Sequence, residues 1–452
     1  MPSIKALFNL EGDNIEILSS PEEFYETLIS NVNQAQKRIV LSSLYIGTGS
    51  KGEALVKRIG QRLREVPSLQ VDLIFDFNRS MRVNQTSRTL SKFLDLEKVN
   101  CNLYHTSYLN YHKKVLAPKR WDEIFGVFHI KTYILDDICI LSGANLSEEY
   151  FTNRQDRYIV IHDRKFCDYL QSLMKKVGEF CFRLKPDGKT TYPSRLPLPW
   201  KQPKNFRIES GKVLKDFEFE STCKVTENTN SNSSENEANV KSDTTIEAYL
   251  QAPEQNIHTY SERMQQFIRS ISQNDKLYFA SGYFNLSESL LRGILNCRAQ
   301  SVHILACSRE CNGFRNASGA AGYVADMYEC ILRKFVNQLR GNTNKDKYQV
   351  FEYFRKNWTY HAKGMWIYIP AESNPKQFNC SSTLIGSSNF GMRSQFRDLE
   401  LQFLIRTKNS KLQIKLDEER KRLFKYKRKF DPKSVKYPFF MPALSKLIKS
   451  FF

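Results

Sequence analysis

None of the 10 cysteines in this 452-residue chain forms a Cys-x-x-Cys pair, and the closest two are Cys307 and Cys311. That spacing excludes zinc-finger patterns and the dense framework of a small secreted scaffold, so reduced thiols in an intracellular compartment are expected. No apolar run approaches the roughly 20 residues that cross a bilayer, which excludes a membrane-spanning helix. The opening stretch, MPSIKALFNLEGDNIEILSS, is acidic, lacks arginine and has no apolar signal core, so it reads as neither signal nor transit peptide. Acidic residues are in deficit. Against 68 Lys and Arg there are 48 Asp and Glu, a net charge of +20. A nucleic acid, an anionic lipid or a phosphorylated metabolite would each answer that charge. Aromatics are plentiful, at 31 Phe and 22 Tyr, and the hydrophobic fraction of 41% predicts a folded chain.

Fifteen of the 25 residues in 221–245 are Ser, Thr or Asn, which predicts a low-complexity linker or loop. The parts on either side resemble each other. KRIVLSSLYIG (37–47) matches DKLYFASGYFN (275–285), with Ser43 and Tyr45 answered by Ser281 and Tyr283. VDLIFDF (71–77) and VHILACS (302–308) follow as strands, and EALVKRIGQRLREV (53–66) and YVADMYECILRKFVNQLR (323–340) have helical periodicity. The expectation is an internal repeat of α/β units: 1–220, the linker 221–245, 246–410, and a basic aromatic tail 411–452.

Each half carries the same polar set in the same order. FHIKTYILDD (128–137) puts His129 and Lys131 two residues apart in an apolar run, and YHAKGMWIYI (360–369) repeats the step with His361 and Lys363. As strands, both would project imidazole and ammonium from one face. Asn145 and Asn389 follow in polar turns, and 11 residues beyond each comes a carboxylate, Asp156 or Glu400. This suits attack on a phosphodiester or pyrophosphate. Lysine and amide groups donate to phosphate oxygens, one histidine attacks phosphorus, and the other moves the proton. The carboxylates would fix the ring tautomers. With lysines supplying charge, neither metal nor cofactor is called for. Arg79 and Arg82, after a strand, and Arg315, in SRECNGFRNASGAAGY (308–323), are candidate substrate-phosphate ligands. The other five histidines read as loop or structural residues.

HIKTYILD has the H-x-K-x4-D form of the phospholipase D superfamily, and the chain resembles its two-motif members. LSGANLSEEYFTNRQDRY, ECNGF, YHAKGMW and GSSNFGMRSQFRDLE resemble one family within it, the mitochondrial phosphatidylglycerophosphate synthases. The resemblance implies two phospholipase-D-like α/β/α sandwich domains related by a pseudo-two-fold, with the active site at their interface. It further implies transfer of a phosphatidyl group from CDP-diacylglycerol to glycerol 3-phosphate, with release of CMP, at the mitochondrial inner membrane. His129, Lys131 and Asp136 would form the first motif, with His129 as nucleophile. His361 and Lys363 would form the second, where Tyr368 stands in place of the aspartate.

The tail, 411–452, has 13 Lys and Arg against 4 Asp and Glu. Leu444, Leu447, Ile448 and Phe451 fall on one helical stripe, which predicts a helix lying in an anionic membrane interface. Two other functions remain open from sequence. One is a nuclease or DNA-end phosphodiesterase of the same superfamily; the other is a non-catalytic binder of anionic lipid.

Overall fold

A computed structural model describes residues 6–82, 86–110, 112–113, 121–230, 242–317, 319–341, 345–435 and 437–449. Two nine-stranded sheets dominate it. From one edge, the first runs Ile15–Leu18, Tyr158–His162, Ile138–Ser142, Thr132–Leu135, Arg38–Ser42, Gln70–Asp76, Asn100–Tyr104, Phe182–Leu184, Thr190–Thr191. The second runs Ala6–Leu10, Thr244–Gln251, Glu400–Thr407, Asn374–Gly386, Lys363–Ala371, Lys276–Ser281, Ser301–Cys307, Tyr348–Tyr353, Lys427–Lys429. Strand for strand, the repeat read from the sequence is there.

Both sheets are covered on both faces, and the strand alternation shows why the sequence needs nearly continuous apolar runs. Ile39 and Leu41 enter a core beneath the helices Pro21–Gln34 and Ser50–Glu65, while Val40 between them faces the other way. In the second sheet Met365 and Ile367 face an outer core, and Trp366 and Tyr368 face inward. The two inward faces share one hydrophobic cluster, built with residues of the helices Arg164–Gly178, Pro203–Asn230 and Ser410–Phe424. Burying both inner faces together makes the halves one packed body.

Three predicted boundaries move. Ala6–Leu10 pairs with Thr244–Gln251, so the first strand joins the second sheet. Residues 221–230 of the predicted linker continue a helix and 244–245 begin a strand, while 231–241 lie outside the described residues. The tail predicted from 411 is largely structural. Leu412, Leu416 and Leu423 are core, Lys427–Lys429 is an edge strand, and Met441 is fully buried against Val324–Arg340. Of the predicted membrane stripe, Leu444 packs on that cluster. The side chains of Leu447, Ile448 and Phe451 lie outside the described residues. All described cysteines are free thiols, and among the described residues no helix is long and apolar enough to cross a membrane.

Candidate active site

Neither histidine sits within a strand ladder, as the sequence pattern led us to expect; each lies just ahead of one. Phe128 makes a lone parallel bridge to Leu399, and His129 N–H donates to Leu399 O at 2.9 Å. The second half repeats this: Thr359–Tyr360 pairs in parallel with Arg154–Gln155, and His361 N–H donates to Gln155 O at 2.8 Å. Each histidine is therefore seated against the segment leading to the carboxylate of the opposite half. The alternation still sorts the side chains, with Phe128 and Ile130 in the shared apolar cluster and His129 and Lys131 on the other side.

The result is a crossed pair. His129 Nδ1 lies 3.0 and 3.1 Å from the Glu400 carboxylate oxygens, and His361 Nδ1 lies 2.6 Å from Asp156 Oδ2. Both rings are 4% exposed, both carboxylates 2% or less. Lys131 Nζ donates to His129 O at 2.8 Å; Lys363 Nζ donates to Gly143 O at 3.3 Å and lies 3.4 Å from Asp156 Oδ2 and 2.6 Å from His361 Nδ1. Six predicted residues thus converge from two halves, with the two imidazoles close enough to feel each other electrostatically.

The two sides differ in a way their sequences encode. Gly143 and Ser387 occupy the same place before Asn145 and Asn389. A side chain at 143 would strike the Lys363 ammonium, whereas Ser387 Oγ donates to Glu400 Oε2. Asn145 accepts from Ser43 Oγ and donates to Tyr150 OH, both at 3.3 Å. Asn389 has its side-chain oxygen buried with no partner among the described residues.

Two predicted assignments are corrected. Asp136 lies at the far end of Thr132–Leu135, at φ 51°, where its carboxylate accepts from the N–H groups of Gln36, Lys37 and Arg38. It ties a turn and touches neither histidine. Tyr368, its counterpart, donates to Asp417 at 2.7 Å. Arg315 is exposed, donates to Glu310 O and lines a charged surface cleft with Arg309, Glu352 and Arg428. Arg79 and Arg82 both pair with Glu123 at 2.7 Å; Glu123 also feels Arg393, which holds Asp398 at 2.8 Å. These arginines border the His129 side through that chain of charges.

Sequence reasoning missed an aromatic wall. Tyr150 and Tyr283 stand edge-on to His361 at ring-centroid distances of 5.1 and 5.3 Å, and the Arg154 guanidinium lies over Tyr150 at 4.7 Å. The repeated Ser-x-Tyr at 43–45 and 281–283 was the available signal, used only to align the halves. His129, Asp398 and Glu400 also bring donor atoms within 4.8 Å of one another. Arg393 and the Val127 N–H already engage Asp398, so this trio reads as an orienting network.

Burial holds both imidazoles well below their usual range, and the adjacent Lys131 and Lys363 push the same way. Burial also lowers both lysines and raises Asp156 and Glu400. The free pocket therefore keeps its rings neutral, the state a nucleophile needs. A consequence for stability follows. Below about pH 6.5 the unfolded chain protonates histidines that the folded chain leaves neutral, so stability falls with acid. Urea unfolding of a His129→Gln/His361→Gln variant should show a shallower acid slope; parallel slopes would contradict the depressed pKa values.

Two repeated sheets with a His-x-Lys pair from each at their junction define a phospholipase-D-like protein. The family described as "Cardiolipin synthase, PLD-like domain" matches residues 28–177. The crystal structure of phosphatidylserine synthase from Haemophilus influenzae Rd KW20 superposes with a TM-score of 0.72 at 18% identity, covering 99% of this chain and 97% of that one. Closer in sequence are two proteins named CDP-diacylglycerol–glycerol-3-phosphate 3-phosphatidyltransferase, mitochondrial. The Gallus gallus protein is 34% identical over 92% of this chain and 79% of its own, and the Homo sapiens protein 33% over 98% and 84%. The chain belongs to the family of CDP-diacylglycerol–glycerol-3-phosphate 3-phosphatidyltransferases.

Proposed function

We propose that this chain transfers a phosphatidyl group from CDP-diacylglycerol to glycerol 3-phosphate through a phosphohistidine on His129. The crossed His–carboxylate pairing supports the reading, because a carboxylate at each Nδ1 would orient the ring for chemistry at Nε2. In the first step His129 Nε2 bonds to the phosphatidyl phosphorus, the P–O bond to CMP breaks, and the departing phosphate oxygen takes a proton from His361. In the second, His361 takes the proton of the glycerol hydroxyl. That oxygen bonds to phosphorus as the P–N bond breaks, restoring both rings. Lys131, Lys363 and the Asn145 and Asn389 amides stabilise charge on the phosphoryl oxygens. His361 suits the proton-moving role because Asp156 at its Nδ1 would stabilise an imidazolium, once substrate phosphates offset the lysines that keep the empty ring neutral. Incubation with CDP-diacylglycerol should release CMP only when glycerol 3-phosphate is added. Release with serine or water alone, or cleavage of oligonucleotides, would reassign the substrate.

The relatives are named mitochondrial, and we place this chain likewise, peripheral to the inner membrane. An exposed aromatic group supports a membrane-facing surface: Phe439 is 95% exposed, and Phe440 meets both Phe439 and Tyr323 at centroid distances of 5.7 and 5.5 Å. Beneath them Met441 and Leu444 join a cluster with Tyr328 and Tyr283, which reaches His361. Truncating the tail would strip Met441 from that core, so substitution tests the idea more cleanly. Phe439→Ser/Phe440→Ser should cut co-sedimentation with anionic vesicles severalfold while leaving the unfolding midpoint nearly unchanged; equal sedimentation would remove this surface from consideration.

A further inference from the structure

Several arginines around the two-sheet junction pair with carboxylates. Arg79 and Arg82 have Glu123, Arg157 has Glu419, and Arg393 has Asp398. Arg154 forms no ion pair with any described carboxylate. Its Nε donates to Thr359 Oγ1 at 3.0 Å, its guanidinium lies over the Tyr150 ring, and the phenols of Tyr45 and Tyr283 are its other close electrostatic neighbours. Glu149 feels the Arg154 charge without pairing with it directly, so the part-buried guanidinium keeps capacity for a closer anion, and phosphate is the one whose oxygens best match its fork of N–H donors.

The loop that approaches Arg154 does so at a glycine. At Gly313 a side chain's first carbon would sit 3.2 Å from Arg154 Nη2 and 3.3 Å from the Tyr283 hydroxyl, so glycine keeps the loop from filling the space beside both. Position decides which phosphate belongs there. Arg154 is one aromatic ring removed from His361, since Tyr150 lies between them. The phosphate of departing CMP is joined directly to the reacting phosphorus through one oxygen and must lie against His361 itself. The phosphomonoester of glycerol 3-phosphate is separated from the attacking hydroxyl by three carbons, which suits a seat one ring further out.

We infer that Arg154, with the Tyr150 and Tyr283 rings beside it and Gly313 opposite, forms the seat for the acceptor's phosphomonoester and makes the site prefer glycerol 3-phosphate over glycerol. This deepens the proposed transfer and rests on it. Steady-state kinetics of Arg154→Gln should show KM for glycerol 3-phosphate raised at least tenfold, with KM for CDP-diacylglycerol changed less than twofold and the preference over glycerol reduced by a similar factor. Arg154→Lys should recover part of the loss. In the unaltered protein, inorganic phosphate should inhibit competitively against glycerol 3-phosphate. A raised KM for CDP-diacylglycerol, or phosphate competing only with that substrate, would assign the cation to the leaving nucleotide and overturn the inference, as would unaltered kinetics. Should the unaltered protein release no CMP with glycerol 3-phosphate, the transfer itself fails. Calorimetric binding of inorganic phosphate, lost or retained in Arg154→Gln, then supports or overturns the anion seat by itself.

Discussion

His129→Ala should reduce CMP release from CDP-diacylglycerol by on the order of 10⁴-fold or more, leaving at most the contribution of binding and charge stabilisation. His361→Ala should lose about 10²–10⁴-fold, the range typical of removing a proton-transfer group. The two losses should differ in kind as well as size. With substrate labelled at the phosphatidyl phosphorus, the His361→Ala protein still carries the nucleophile and should accumulate acid-labile label on His129, because its second step lacks a base. The His129→Ala protein should carry none. Label on His361 in the His129→Ala protein would exchange the two roles while keeping the crossed geometry. Absence of label from every variant, with turnover intact in the parent, would argue for direct displacement.

The sequence revealed the six groups that converge, and the reason is physical. Each pair had to break an apolar run, and the breaks recurred in register with an independent strand repeat. What it hid was where two adjoining residues go. Asp136 reads as part of a motif, but one strand length carries it from the site to a turn, where three backbone N–H groups take its charge. The tail misled for a related reason. Lys and Arg on a helix that buries only a stripe look the same in sequence whether the stripe meets a membrane or its own domain, and Leu412, Leu416 and Leu423 meet the domain. The crossing itself was out of reach, because spacing shows that each half owns a carboxylate but not whose histidine it serves. Arg154 was silent for the opposite reason: what marks it is the lack of an ion pair among the described residues, and only packing reveals that.

The crossed site depends on how firmly the halves are locked, and one side chain dominates that lock. Arg157, fully buried, leaves the first half and donates to Glu419 at 2.8 Å through both Nε and Nη2, to Leu384 O at 2.7 Å and to Thr383 Oγ1 at 2.8 Å, with Trp366 4.0 Å beneath it. Its path explains the glycine after Lys363: Gly364 has φ 154°, and any side chain there would collide with the guanidinium. The Arg157 N–H also donates to Asp156 Oδ1 at 2.9 Å, so the lock is continuous with the carboxylate that orients His361. Arg157→Met strands the Glu419 charge in the core and should cost about 3–5 kcal/mol, a large share of the stability of a typical domain. Urea unfolding would read that loss. Adding Glu419→Leu removes the stranded charge and should recover most of the stability, since an apolar pair can replace a buried ion pair at little cost. The double variant should nonetheless remain slow, because Asp156 loses its anchored neighbour. Full activity alongside restored stability would separate the lock from the chemistry and show that Asp156 holds its place through strand pairing alone.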